Sequence, residues 1–153
     1  MMTPPTAAHQ RIATNLVNLL SDALDSHDDE LDAYPGVGLN LVSSVPYDPD
    51  PDVVVVRRSE NLGQRYFDQF YLAAEILSES DKRIIESKRA IYRAHPSCMC
   101  ILLVRQDRVE LTVDLRSDDG WQSQRLHGDD ELQLPAFGLI CSIKAIYRKT
   151  PLG

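Results

Sequence analysis

A helix predicted over residues 80–94 carries a lysine in the middle of its apolar stripe, and this conflict between charge and hydrophobic pattern restricts how the chain can fold. At about 100° per residue, Ile84, Ile85, Ile91 and Tyr92 fall on one face, and Lys88 projects along the centre of that face. Lys82, Arg83, Glu86, Arg89 and Arg93 fall on the opposite side, where a solvated surface is expected. An ammonium turned toward a core must either snorkel past the edge of the stripe or meet an anionic partner, because an unpaired buried charge is costly.

Candidate partners lie upstream. Leu72-Ala73-Ala74-Glu75-Ile76-Leu77 is an apolar run of strand length with one carboxylate inside it, bounded by Ser78, Glu79, Ser80 and Asp81. Pro51-Asp52 opens a second, β-branched run from Val53 to Val56, at a position where the missing proline N–H is tolerated. Two carboxylates on neighbouring strands repel unless a cation lies between them, and a divalent metal is the economical cation. For Asp52 alone, ordinary turn chemistry after Tyr47-Asp48-Pro49-Asp50-Pro51 is the favoured reading. Glu75, flanked by alanine and isoleucine in mid-strand, has no turn to serve.

The rest of the chain reads as scaffold. A first helix is expected from Thr6 to Leu24, with Ile12, Leu16, Leu19, Leu20, Ala23 and Leu24 at helical spacing and His9 on the same face. A strand is expected from Gly36 to Val45, and a polar connection from Ser59 to Gln69. A meander through residues 99–104, 109–115 and 121–127 turns at Asp118-Asp119-Gly120, and Leu139 to Tyr147 is open between strand and short helix. The pattern predicts an α/β (α+β) fold with a mixed β-sheet flanked by helices, in one domain over residues 1–153. The chain has no apolar run near the ~20 residues of a membrane span and no signal-peptide pattern, so a cytoplasmic location is expected. Cys98, Cys100 and Cys141 read as free thiols; a zinc site would need two more ligands, of which His95 is the near candidate.

Taken in order, Pro51-Asp52, then Glu75-Ile76-Leu77-Ser78-x-Ser80, then Lys88-x-x-x-Tyr92, resemble the Uma-two family of restriction-endonuclease-like proteins, within the PD-(D/E)XK nuclease superfamily. Thr3-Pro4-Pro5 with His9-Gln10, and Leu134-Pro135 through Gly138-Leu139, are similar to the family's opening and closing segments, so the resemblance covers nearly the whole chain. It implies a restriction-endonuclease-like core in which Asp52 and Glu75 hold Mg²⁺, which Mn²⁺ can replace, with the backbone carbonyl of Ile76 as a third ligand. The usual lysine two positions after the second acid falls on Leu77, and Lys88, on the following helix, is the position that matches its role. His9 matches a histidine that members often place near the site. Relative to the family, the chain is expected to lack an N-terminal strand segment that precedes the proline-rich opening. Ile84 also replaces a helical acid one turn before the lysine, with Asp81 two turns before it.

The implied activity is Mg²⁺-dependent endonucleolytic hydrolysis of DNA, with a homodimer as the implied assembly. The alternative is a catalytically inactive relative that acts as a protein- or nucleic-acid-binding module. A net charge of −7 opposes strong binding to a phosphate backbone. Its distribution is uneven: six acids fall between Asp22 and Asp32, whereas Glu86 alone offsets Lys82, Arg83, Lys88, Arg89 and Arg93.

Overall fold

The apolar runs become neighbouring strands of one mixed sheet. The computed structural model describes residues 4–36, 38–39, 50–58, 63, 66–78 and 81–153. The sheet is ordered β1 (Leu31–Pro35), β3 (Val53–Arg57), β5 (Leu72–Leu77), β6 (Cys100–Arg105), β7 (Glu110–Ser117) and β8 (Gly120–His127). All neighbours are antiparallel except β5 and β6. A parallel pair needs a crossover, and helix α2 (Lys82–Ala94) supplies it. Two short pairs lie outside this sheet: β2 (Gly38–Leu39) parallel to β4 (Tyr66–Phe67), and β9 (Glu131–Leu134) antiparallel to β10 (Leu139–Ser142).

Strands β3, β5 and β6 are buried on both faces, which is why they read as near-continuous hydrophobic runs. Val53, Val55, Leu72, Ala74, Ile76, Leu102 and Val104 face helix α1 (Ala7–His27), whose Ile12, Leu16, Leu20 and Leu24 recur at helical spacing. Thr6 caps this helix, its hydroxyl accepting the His9 N–H. On the other face, Val54, Val56, Ala73, Leu77, Ile101 and Leu103 pack with Ile85 and Tyr92 of α2. Glu75 lies between Ala73 and Leu77 on this second face, so the period-2 alternation of β5 aims its carboxylate at α2.

Helix α2 is fastened to the sheet by charge as well as by packing. Asp114 of β7 is fully buried and accepts two bonds of 2.6 Å from the Arg89 guanidinium. It also pairs with Arg93 at 2.9 Å and accepts from the Ser123 hydroxyl at 2.8 Å. Burial pushes Asp114 upward, but its bonds to Arg89, Ser123 and Arg93 outweigh burial and hold it below the ordinary carboxylate value. The outward, solvated face expected for Arg89 and Arg93 is thus replaced by a guanidinium clamp. Arg116 of β7 donates to the carbonyls of Arg93, His95 and Pro96 at the end of α2. Ile84 departs from the expected stripe in the other direction, being 49% exposed. The side chains of Lys82 and Arg83 lie outside the described residues.

The remaining expectations mostly hold with shifted boundaries. The first helix runs three residues past Leu24, to His27. The acidic stretch between Asp22 and Asp32 runs from the end of α1 into edge strand β1, because Leu31, Ala33 and Tyr34 gain half-buried places when they pair with β3. Of the strand expected at Gly36 to Val45, Gly38–Leu39 forms and residues 40–45 lie outside the described residues. The connection from Ser59 to Gln69 contains Tyr66–Phe67 as β4, and most of its other positions also lie outside. The ambiguous segment is both things: strand β10 and then a 3-10 turn over Ile143–Tyr147. Among the described residues, no helix is long and apolar enough to cross a membrane.

If Asp114 is the anchor of α2, Asp114→Ala leaves two guanidinium groups without their buried partner, at a cost of about 3 kcal/mol. Urea denaturation checks this, and an unchanged midpoint would remove the clamp from the account of helix docking.

Candidate active site

The antiparallel register of β3 and β5 brings the two acids together. Val53 stands opposite Ala74, so one step outward sets Asp52 opposite Glu75, and directly opposed residues share a face. Asp52 at the entrance of β3 is part-buried, whereas Glu75 is 4% exposed. Asp52 Oδ2 accepts the Ile76 N–H at 2.8 Å and lies 3.2 Å from Nε2 of His9. Because the backbone N–H and C=O of one strand residue point to the same side, the Ile76 carbonyl also leaves β5 toward Asp52.

Helix α2 answers Glu75 with two donors one turn apart. The Tyr92 hydroxyl donates to Oε1 at 2.7 Å, and Nζ of Lys88 lies 3.6 Å from the same oxygen. Lys88 is 23% exposed, so both resolutions of the sequence conflict operate: the stem lies along the apolar face, and the ammonium reaches an acid at the rim of a cleft. That cleft, of about 430 Å³, is lined by Asp52, Glu75, Ile76, Lys88, His9 and Asp81, with Ile84, Ile85 and Pro4-Pro5-Thr6 at its walls. The exposure of Ile84 is explained by its place there. Asp81 accepts from both the N–H and the hydroxyl of Ser78, which shapes the turn between β5 and α2. Thr6 donates to Gln106, fastening the start of α1 to the chain that follows β6.

The electrostatics show two acids under strain. Burial raises the Glu75 pKa to about 7, the charge of Asp52 adds to the rise, and Lys88 and the Tyr92 hydroxyl oppose it. Burial also pushes Asp52 upward, but its bonds to His9 and the Ile76 amide outweigh that and leave it below the ordinary value. Of the two acids, Glu75 is therefore the one that holds a proton more readily. His9 is raised chiefly by its bond to Asp52, against the opposing effect of burial. Its Nδ1 is buried and has no hydrogen-bond partner among the described residues. Burial drives the Tyr92 hydroxyl far above the ordinary phenol value, so it acts as a donor.

A proton on Glu75 relieves the repulsion of the two carboxylates, and a hard cation would relieve it as well. Among the described residues, no group of three or more His, Cys, Asp or Glu side chains is arranged to hold a metal. Two carboxylates and a backbone carbonyl form an all-oxygen set that suits an ion keeping several waters, as Mg²⁺ does, and suits zinc poorly. The thiols do not compete: Cys98 and Cys100 are buried, and burial raises Cys98 to about 12 and Cys100 well above its ordinary value. His95, the near candidate for zinc, has its ring engaged by Ser97 and the Asp68 carbonyl.

Asp52, Glu75, Ile76, Lys88 and His9, singled out in the sequence, all line this one cleft. Gln106 and Thr6 join them without any sequence signal, since their approach depends on how α1 lies across the end of β6. Tyr92 stood in the sequence as part of the apolar stripe, and its hydroxyl contact with Glu75 could not be read from spacing.

The crystal structure of a "putative nuclease belonging to DUF820" from Anabaena variabilis is similar to this chain, with a TM-score of 0.74 at 18% identity, covering 96% of this chain and 84% of that one. At that identity the likeness concerns the fold. The sequence profile of the Uma2 family, described as "Putative restriction endonuclease", matches residues 1–144, and the chain belongs to this family. No curated protein matches the chain significantly.

The raised Glu75 pKa sets a pH dependence. The folded state keeps the Glu75 proton up to about pH 7, whereas the unfolded state releases it near 4.5, so the cation-free protein loses stability as pH rises through that window. The loss is about 3 kcal/mol. His9, also raised, adds to the fall as pH passes its folded value, while Asp52, lowered, matters only in more acidic solution. Urea denaturation in EDTA from about pH 5 to about pH 8 should show a clear decline in the wild type and a much shallower one in Glu75→Gln. Equal slopes would contradict the burial of an ionisable Glu75.

Proposed function

We propose that the protein is a Mg²⁺-dependent endonuclease of the PD-(D/E)XK type that hydrolyses DNA phosphodiester bonds. The observation that carries this reading is the meeting of Asp52, Glu75 and Lys88 in one cleft, from two strands and a helix. Asp52 and Glu75 are assigned as the metal ligands, with the Ile76 carbonyl as the third protein oxygen. The bound ion would supply a water of lowered pKa and neutralise charge on the phosphoryl oxygens. Lys88 stands at the rim on the Glu75 side, where its ammonium orients the attacking water and stabilises negative charge as it develops. His9 holds Asp52 in place through Nε2. Family membership supports a nucleic-acid substrate.

The free cysteines and the lack of a membrane-crossing helix among the described residues accord with a cytoplasmic enzyme. The family resemblance implies a homodimer, and sedimentation that gives only monomer at high concentration would remove it. The second reading, a catalytically inactive binding module, is favoured by one observation: the net charge of −7 opposes binding to a phosphate backbone, and Arg89 and Arg93 are committed to Asp114.

Incubating plasmid DNA with the protein and Mg²⁺ separates the two readings. Glu75→Ala and Lys88→Ala should each lower the cleavage rate by about 100-fold or more while the protein stays folded. Undiminished cleavage by both variants would overturn the assignment. DNA binding without cleavage, surviving both substitutions and excess EDTA, would establish the binding module instead.

A further inference from the structure

The two carboxylates of the cleft share an arrangement that neither strand explains alone. In Asp52 a single oxygen, Oδ2, takes both the Ile76 amide and Nε2 of His9. In Glu75 a single oxygen, Oε1, takes both the Tyr92 hydroxyl at 2.7 Å and the Lys88 ammonium at 3.6 Å. Among the described residues, no nitrogen or hydroxyl donor of another residue reaches Oδ1 of Asp52 or Oε2 of Glu75. Each acid thus presents one oxygen.

The two donors to Glu75 differ in kind. Lys88 ends a flexible stem, and its ammonium can follow a carboxylate that rotates. Tyr92 cannot. It is fully buried, its ring meets Phe70 edge-on at 5.7 Å and 71°, and Phe70 in turn packs at 4.9 Å against the His95 ring. A phenol hydroxyl held so rigidly fixes the oxygen to which it donates.

We propose that Tyr92 is a positioning residue that holds Glu75 as a one-oxygen ligand, so that the site takes a small, water-retaining divalent cation in preference to Ca²⁺. This rests on the reading of Asp52 and Glu75 as cation ligands. Ca²⁺ gathers about six to eight oxygens and often takes both oxygens of a carboxylate, whereas Mg²⁺ keeps several waters and is content with one or two carboxylates. A glutamate whose Oε1 is held by the Tyr92 hydroxyl and faced by Lys88 is disfavoured as a chelating, two-oxygen ligand. Releasing that oxygen removes the obstacle to Ca²⁺ and also loosens the geometry on which the smaller ion depends.

The test is calorimetric titration of wild type, Tyr92→Phe and Phe70→Leu with Mn²⁺, standing in for Mg²⁺, and separately with Ca²⁺. Tyr92→Phe keeps the ring and removes only the hydroxyl. It should bind Mn²⁺ about 10- to 100-fold more weakly with a reduced preference over Ca²⁺, while its thermal melt shows a folded protein. Phe70→Leu loosens the ring's packing but keeps the hydroxyl, and it should retain more of the Mn²⁺ affinity. Wild-type affinity and preference in Tyr92→Phe would overturn the proposal. So would a loss in Phe70→Leu as large as that in Tyr92→Phe, since packing would then account for it. Absence of Mn²⁺ binding in the wild type would instead bring down the cation-site reading itself, and this proposal with it.

Discussion

A carboxylate buried between a sheet and a helix has to be answered from the helix, and the meeting of Glu75 with α2 is the constraint around which this domain is organised. Strand β5 is apolar on both faces, and the two residues that flank Glu75 on its own face, Ala73 and Leu77, are themselves buried and apolar. The donors come from one turn of α2, where Lys88 and Tyr92 reach the same oxygen. The helix register is therefore dictated by polar geometry as much as by its apolar stripe. The antiparallel pairing of β3 with β5 sets Asp52 opposite, and the repulsion between the two acids adds to the rise of the Glu75 pKa.

The basic residues of α2 serve the same end. Arg89 and Arg93 are bound to Asp114, Arg116 reaches back to the carbonyls that end the helix, and Trp121 lies beneath the guanidinium groups of Arg93 and Arg116. A stretch that carries a local excess of positive charge in the sequence thus spends much of it internally, in pairing the helix with β7 and β8. This changes how charge bears on nucleic-acid contact. The cleft sets Lys88 and His9 beside Asp52, Glu75 and Asp81, so its own side chains offer a phosphate backbone little net positive charge.

The readings from sequence succeeded where one local pattern carried them. The strands around Val53–Val56 and Leu72–Leu77 were legible because runs buried on both faces leave no other pattern, and the hairpin at Asp118-Asp119-Gly120 because the turn demands a glycine, which adopts φ +104° there. They failed where one element's role depended on a distant one. Arg89 and Arg93 look solvated on any helical projection, and only β7 supplies the buried Asp114 that draws them in. Strand β1 was hidden by its acids, because an edge strand needs only one apolar face and gains its order from pairing with β3.

Sequence by itself determined that a carboxylate, Glu75, and an ammonium, Lys88, would be committed to apolar elements, because hydrophobic periodicity assigns a face to each residue whatever the fold. It also determined the family, through the order of short motifs along the whole chain. Tertiary structure alone decided that the two charges meet, which oxygen of each acid is engaged, and that Tyr92 is a partner to Glu75 as well as a core residue. Periodicity specifies the direction of a side chain within its own element, whereas a hydrogen bond is specified by the relative placement of two elements, and that placement arises only when the sheet and helices pack together.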